Sequence, residues 1–132
     1  MAKRWQERYE TFDRAFNQLK AAVEKPEYSE LERAGLIQVF EYTFELAWKP
    51  MRDYCLENGY DELNSPRAAI QKGVLAELVS EADGYEWLDA LKQRNLLAHT
   101  YDEATSLTAE TLIKQRYFPI TERLWIRFQT IA

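Results

Sequence analysis

Apolar residues recur at helical spacing along the chain, and no stretch alternates between apolar and polar residues as a strand would. Four of them near the start follow one another at intervals of four, three and four residues: Phe12, Phe16, Leu19 and Val23. This spacing is typical of one face of an amphipathic helix. We therefore predict helix one from about Trp5 to Lys25, closed by Pro26.

The second predicted helix is the longest and is apolar on more than one side. It covers Leu31–Glu57, and Ser29 and Glu32 form a capping box before it. A surface helix would show a narrower apolar stripe, so we expect one side to pack within the bundle and another against a further surface, such as a second copy of the chain. Pro50 removes a helical amide and predicts a kink, while Gly59 predicts the end of the helix.

Three further helices are predicted in the second half of the chain. Helix three covers Pro66–Val79, helix four is introduced by Asp83 or Gly84, and Thr108 caps helix five. No internal repeat or linker interrupts the pattern. It predicts an all-α protein with a single helical-bundle domain over residues 1–132, an up-and-down bundle of four long helices plus a short helix.

Composition and charge narrow the class of protein. The chain has 132 residues, of which 46% are hydrophobic, enough to build a core. Its 17 Lys and Arg against 22 Asp and Glu give a net charge of -5, so a nucleic acid would have to bind in a local cleft rather than on a broad basic surface. The N-terminal residues lack an apolar signal region, and no stretch is apolar enough to cross a bilayer. We expect a cytoplasmic protein with no membrane partner.

The chain has a single cysteine, Cys55, and a single histidine, His99. One cysteine cannot form an internal disulfide, and we interpret Cys55 as a buried, reduced thiol. Two such side chains are too few for a zinc site made by the protein alone. We therefore expect no metal and no cofactor.

The most distinctive chemistry lies in the stretch Arg94–Tyr101. An arginine is a fixed cation suited to phosphate, and a histidine exchanges protons near neutral pH. Arg94 and His99 point about 140° apart on a straight helix. We expect this mismatch to be relieved either by a helix end near Ala98 or by two chains that pool their motifs across a two-fold axis.

Arg94, His99 and Tyr101, with four residues and then one between them, resemble the RX4HXY motif of HEPN (higher eukaryotes and prokaryotes nucleotide-binding) domains, and the polar Asn95 fits this pattern. A second block is similar to the small nucleotidyltransferase substrate-binding proteins, and consists of the segments Phe40–Lys49 and Ser65–Arg67. The resemblance spans about Phe12–Phe118. Pro50 departs from the family pattern, in which this helix continues.

The resemblance implies an all-helical homodimer whose partner is a cognate minimal nucleotidyltransferase, made as a separate chain. It also implies similarity to the toxins of HEPN/nucleotidyltransferase toxin–antitoxin pairs. In those pairs the HEPN dimer is a metal-independent endoribonuclease, and the nucleotidyltransferase silences it by transferring AMP to the motif tyrosine. Carried over to this chain, Arg94 and His99 become the catalytic pair, Asn95 an accessory polar group and Tyr101 the AMP acceptor.

The side chains are compatible with that chemistry. RNA cleavage without a metal uses the 2′-hydroxyl as nucleophile, and needs a base, an acid and a cation for the phosphate. His99 can serve as base or acid and Arg94 as the cation. Because the chain has no second histidine, a two-imidazole mechanism would need His99 from both subunits, with RNA in the dimer cleft.

The same residues also have interpretations without catalysis. His99 can cap a helix or be solvated, and Tyr101 can lie at the rim of the core. Glu41, Glu45 and Lys49, spaced by four, either line a cleft or form a solvated helix face, which we favour. The tryptophans are expected mainly in the core and at interfaces: Trp5, Trp48, Trp87 and Trp125.

Two functions of different class follow. We favour an endoribonuclease toxin restrained by a nucleotidyltransferase that adenylylates Tyr101. The alternative is a non-catalytic substrate-binding subunit of a two-component nucleotidyltransferase. Nothing in this chain resembles the Gly-Ser and paired-aspartate signature of such enzymes, so the partner would supply nucleotide transfer. A helical dimer without chemistry is the third interpretation.

Overall fold

The structure, a computed structural model, describes residues 3–97 and 101–131, apart from the side chains of Asn95 and Leu96. Every regular element in this part of the chain is helical: α1 (Arg4–Val23), α2 (Glu30–Glu57), α3 (Pro66–Leu75), α4 (Glu81–Leu97), α5 (Glu103–Leu112), a π-helical turn (Ile113–Tyr117) and α6 (Phe118–Thr130). The last three are continuous, so four long helical runs accompany the short α3. The predicted all-α bundle is confirmed.

Local signals fix both ends of α2. The Ser29 hydroxyl accepts the Glu32 amide at 3.1 Å, and the Glu32 carboxylate accepts the Ser29 amide at 2.8 Å, which is the predicted capping box. Gly59 adopts φ of +89°, the left-handed conformation that commonly follows a helix. Helical structure continues through Pro50, and a kink at this residue stays a prediction.

The segment between α3 and α4 differs from the prediction, because α3 ends earlier and the two helices approach each other closely. α3 ends at Leu75 rather than near Val79, and Glu77 shortly afterwards has φ of +61°, which is incompatible with continuing the helix. Gly84 lies inside α4 and not at its start. A Cβ atom at Gly84 would lie 2.5 Å from Cγ2 of Val74, so the glycine permits the close approach of the two helices.

The two later helices start earlier than predicted because other side chains cap them. Ser80 accepts the Asp83 amide at 3.0 Å, so α4 begins at Glu81 rather than at Asp83. Asp102 accepts the Thr105 amide at 3.1 Å and caps α5. The predicted cap, Thr108, lies inside α5. The prediction was wrong because Asp102 offers an equally good cap earlier in the chain.

The apolar faces of the helices meet in one core. The Phe40 ring stacks on Tyr117 with 5.6 Å between centroids, and Phe44 contacts Trp87 at the same distance. Other large residues of the core are fully buried: Phe12, Phe16, Leu19, Leu36, Met51, Ile70, Leu97, Ile113, Ile120 and Phe128. Cys55 is buried as predicted. No helix among the described residues has the length and hydropathy needed to span a membrane.

Pro119 accounts for the π-helical turn before α6. Within an α-helix its ring would crowd the carbonyl of Gln115, four residues earlier. The chain widens here instead, and the Phe118 amide donates to the carbonyl of Ile113, five residues earlier. The last residues of this turn, Arg116 and Tyr117, contact α4. Turns of this kind inside α-helices are frequent at functional sites.

Candidate functional site

A cleft of about 450 Å³ lies between α2 and the end of α4. Its walls bring together the two regions singled out in the sequence, since Glu41 and Glu45 come from α2 and Arg94 comes from α4. The aromatic residues Phe40 and Phe44 form part of the lining. We call this surface the α2–α4 cleft.

An ion pair crosses the α2–α4 cleft. Nη2 of Arg94 lies 3.2 Å from Oε2 of Glu45, and the two side chains are 48% and 38% exposed. The pair places the motif arginine at the cleft and gives its charge a partner. A phosphate that binds Arg94 must therefore compete with the Glu45 carboxylate.

Glu41 is the second carboxylate of the α2–α4 cleft. It is half-buried, and burial raises the pKa of its carboxyl, while the nearby charge of Arg94 opposes this rise. With both glutamates ionised, these two residues and Arg94 carry a net charge of −1. We favoured a solvated helix face for Glu41 and Glu45. This interpretation is wrong, because both side chains line the cleft.

Only part of the predicted motif can be placed. Arg94 lies in the α2–α4 cleft, and the backbone of Asn95 belongs to α4. The Asn95 side chain and the whole of His99 lie outside the described residues, so the pairing of His99 with Arg94 stays a prediction. Tyr101 is 86% exposed and precedes α5 by two residues. The Tyr101 side chain therefore does not lie at the rim of the core, as the interpretation without catalysis had it.

A polar network holds α4 against the π-helical turn. The Tyr117 hydroxyl donates to Asp89 at 2.6 Å. Arg116 donates to both carboxylate oxygens of Glu86, at 2.8 and 3.1 Å, and pairs with Asp89 at 3.1 Å. Burial, the bond to Asp89 and its charge raise the pKa of Tyr117. The network fixes the helix that carries Arg94.

Sequence reasoning missed this network. Its signal was the spacing of Asp83, Glu86 and Asp89 at intervals of three, which places carboxylates on one side of α4. Asp83 likewise accepts two hydrogen bonds from Arg123, at 2.7 and 2.9 Å. The sequence shows these carboxylates but not which arginines of the last helical run they meet.

The next residues are Arg67, which lies at the surface, and the four tryptophans, which are buried or partly buried. Arg67 is exposed at the start of α3. Trp5, Trp48 and Trp87 are buried in the core. Trp125 is partly buried, and its indole N–H donates to Asp13 at 2.7 Å.

Comparison with known proteins supports the resemblance to nucleotidyltransferase substrate-binding proteins over nearly the whole chain. The model of a family described as nucleotidyltransferase substrate binding protein like matches residues 7–130. A crystal structure of a protein from Thermus thermophilus is similar to this chain with a TM-score of 0.82 and 28% sequence identity. The similarity covers 89% of this chain and 98% of that chain. No curated protein matches the chain at a significant level.

Proposed function

Because the chain belongs to the family of nucleotidyltransferase substrate-binding-like proteins, we propose that it is the helical partner of a nucleotidyltransferase made as a separate chain. The observation that carries the proposal is the α2–α4 cleft, in which the block Phe40–Lys49 meets Arg94. Both regions carry the family resemblance, and they come together in space from distant parts of the sequence. The cleft is the surface that this protein offers to its substrate or partner.

Tyr101 is a second residue on which we propose that the nucleotidyltransferase acts. Its side chain is 86% exposed beside the start of α5, so a modifying enzyme would not have to unfold the bundle to reach it. In the proposed circuit, the nucleotidyltransferase transfers AMP from ATP to the Tyr101 hydroxyl. The hydroxyl oxygen bonds to the α-phosphorus, pyrophosphate leaves, and the phenolic proton is released.

The test is mass spectrometry after the protein is mixed with its nucleotidyltransferase, ATP and Mg²⁺. The expected partner is the short nucleotidyltransferase encoded by the neighbouring gene, where one is present. AMP on Tyr101, lost in Tyr101→Phe but kept in Tyr85→Phe, supports the circuit; Tyr85 is a matched control because it is also exposed, at 67%. Transfer of AMP to a small molecule supports the substrate-binding role. Failure of the two proteins to associate contradicts the proposal.

A second candidate function is a metal-independent endoribonuclease. Arg94 favours it, because a half-exposed arginine at a cleft can reach an RNA phosphate once Glu45 is displaced. Arg94 would stabilise the negative charge of the transition state and His99 would transfer protons to or from the reacting oxygens. Asn95 would be an accessory polar group.

RNA cleavage in the presence of EDTA tests this second function. We expect wild-type protein to cleave, while Arg94→Ala and His99→Ala lose cleavage and the exposed control Arg67→Ala keeps it. Absence of cleavage by wild type, or equal cleavage by His99→Ala, removes the nuclease but leaves the nucleotidyltransferase partnership standing.

The nuclease would work as a homodimer with RNA in the dimer cleft, since each chain has one histidine. A mixture of wild-type and His99→Ala subunits tests whether one site needs both histidines. Cleavage that falls with the square of the wild-type fraction supports a shared site, and cleavage that falls in simple proportion to it contradicts one. A monomer in solution at the concentrations of the assay contradicts it.

A further inference from the structure

A small pocket of about 110 Å³ lies between α1 and α2. It is lined by Arg8 and Thr11 of α1 and by Leu46 and Lys49 of α2. Its polar lining consists of two cations and one hydroxyl, and its volume is sufficient for several water molecules or one tetrahedral oxyanion. We call it the α1–α2 pocket.

Asp53 holds Arg8 in position by charge. The Asp53 side chain is 2% exposed, and its Oδ2 lies 2.7 Å from Nε of Arg8. Arg8 is the charge partner of this oxygen, which accepts no further hydrogen bond from a described residue. Arg52 shares the same carboxylate, at 3.2 Å from Oδ1. The Arg8 guanidinium is thus anchored through Nε, which leaves its terminal NH2 groups for a ligand.

Lys49 has no carboxylate within ion-pair distance in the described part of the chain. The natural helical partner, Glu45, lies four residues earlier. Its carboxylate instead pairs with Arg94 on the other side, at 3.2 Å. Arg8 and Arg52 share one carboxylate, Asp53. Together with Lys49, these residues carry a net charge of +2 on a chain whose net charge is -5.

We propose that the α1–α2 pocket binds a phosphate group, carried by a nucleotide or by an oligonucleotide. Lys49 and Arg8 supply charge-assisted donors to the phosphate oxygens, and the Thr11 hydroxyl supplies a neutral one. Anchoring by Asp53 reduces the side-chain entropy lost when the ligand binds. The site depends neither on the nucleotidyltransferase partner nor on His99, and goes beyond the function proposed above.

Equilibrium binding to the whole chain tests the pocket. The probes are inorganic phosphate, AMP and a 2′-deoxy hexanucleotide, which lacks the nucleophile for cleavage and therefore reports binding alone. We expect Lys49→Gln to weaken binding roughly tenfold. For the hexanucleotide we also expect the slope of log affinity against log salt to fall by about 0.7, the value of one single-strand phosphate contact.

Matched variants separate the pocket from a general loss of charge. Lys20→Gln removes one cation from the opposite side of α1, where Lys20 is exposed, and should leave binding unchanged. Lys49→Arg keeps the charge and should retain most of the affinity, while Thr11→Val should weaken binding severalfold. Thermal denaturation of each variant shows that it remains folded.

The probes identify the source of the phosphate. Weaker binding of AMP and phosphate as well as the hexanucleotide in Lys49→Gln supports a site for free phosphate groups. Weaker binding of the hexanucleotide alone supports a site for a backbone phosphate. If no probe binds wild-type protein, or if Lys49→Gln behaves as Lys20→Gln does with every probe, the proposal is overturned.

Discussion

The guanidinium of Arg94 lies 3.2 Å from the carboxylate of Glu45, and this pair links the last turn of α4 to the middle of α2. Because both side chains are more than a third exposed, the pair contributes little to stability. Its main effect is electrostatic. Glu45 partly neutralises the cation on which any phosphate chemistry at this motif would depend.

Replacement of Glu45 tests this relationship. We expect Glu45→Gln to increase the affinity of the α2–α4 cleft for a 2′-deoxy oligonucleotide by roughly threefold to tenfold, since it removes the carboxylate that competes with phosphate. The free energy of unfolding should change by less than about 1 kcal/mol. Binding is measured at low salt with Lys49→Gln in both proteins, so that the α1–α2 pocket does not contribute to the difference, and stability is measured by urea denaturation. Glu10→Gln, an exposed change on α1, is the control, and weaker binding by Glu45→Gln would contradict the prediction.

The bundle was predictable because its signals are local. Ser29 and Glu32 are three residues apart and cap each other, and Gly59 ends α2 through its own backbone. The pairing of Arg94 with Glu45 depends instead on the packing of two helices distant in sequence. Spacing along one helix could show that Glu41 and Glu45 share a side, but not that this side faces α4.

The errors at helix boundaries have the same origin. Asp102 and Thr108 are both good N-caps, and only the packing of α5 decides between them. The π-helical turn depends on Pro119. A proline in the sequence does not show whether the helix will end, kink or widen at that point. The hydrogen bond from Tyr117 to Asp89 follows from that turn, so neither could be predicted.

The Tyr117 network is expected to stabilise the bundle measurably. Tyr117→Phe keeps the buried ring but removes the hydroxyl that donates to Asp89 at 2.6 Å. Asp89 retains Arg116 as a partner, so we expect a loss of about 1–2 kcal/mol in the free energy of unfolding rather than the larger cost of an isolated buried charge. Urea denaturation measures the loss. Tyr85→Phe, at an exposed tyrosine of α4, should have almost no effect; equal stability of the two variants would show that the network contributes nothing.

Two glycines inside helices should respond to alanine in opposite directions. At Gly35 nothing lies within 4 Å of an added Cβ, so Gly35→Ala should stabilise the protein by up to about 1 kcal/mol through helix propensity. At Gly84 the Cβ would lie 2.5 Å from Val74. The resulting overpacking should lower the free energy of unfolding by about 1–3 kcal/mol, which is more than alanine gains through its higher helix propensity. Chemical denaturation of both variants measures the contrast.

A second substitution identifies the cause of the Gly84 effect. Val74→Ala removes the methyl group that the new Cβ would meet. The double variant should therefore lose less stability than the sum of the two single variants. Additive losses would mean that the contact between α3 and α4 is not what requires glycine at this position.

The capping box of α2 should make stability depend on pH. The backbone N–H of Ser29 and then Lys25 lower the pKa of Glu32 to about 2, from an ordinary value of 4.5. The ionised carboxylate therefore favours the folded state fully above pH 4.5, and this contribution is lost as the pH falls from 4.5 to about 2. Glu32→Gln lacks this contribution, so the variant should be less stable than wild type at pH 7 and should approach the stability of wild type near the acid end of that range.

Urea denaturation across this pH range measures the difference in stability between wild type and Glu32→Gln. Glu27→Gln, exposed in the loop before α2, is the control, and a difference between wild type and Glu32→Gln that does not change with pH would rule out the ionised cap as its cause.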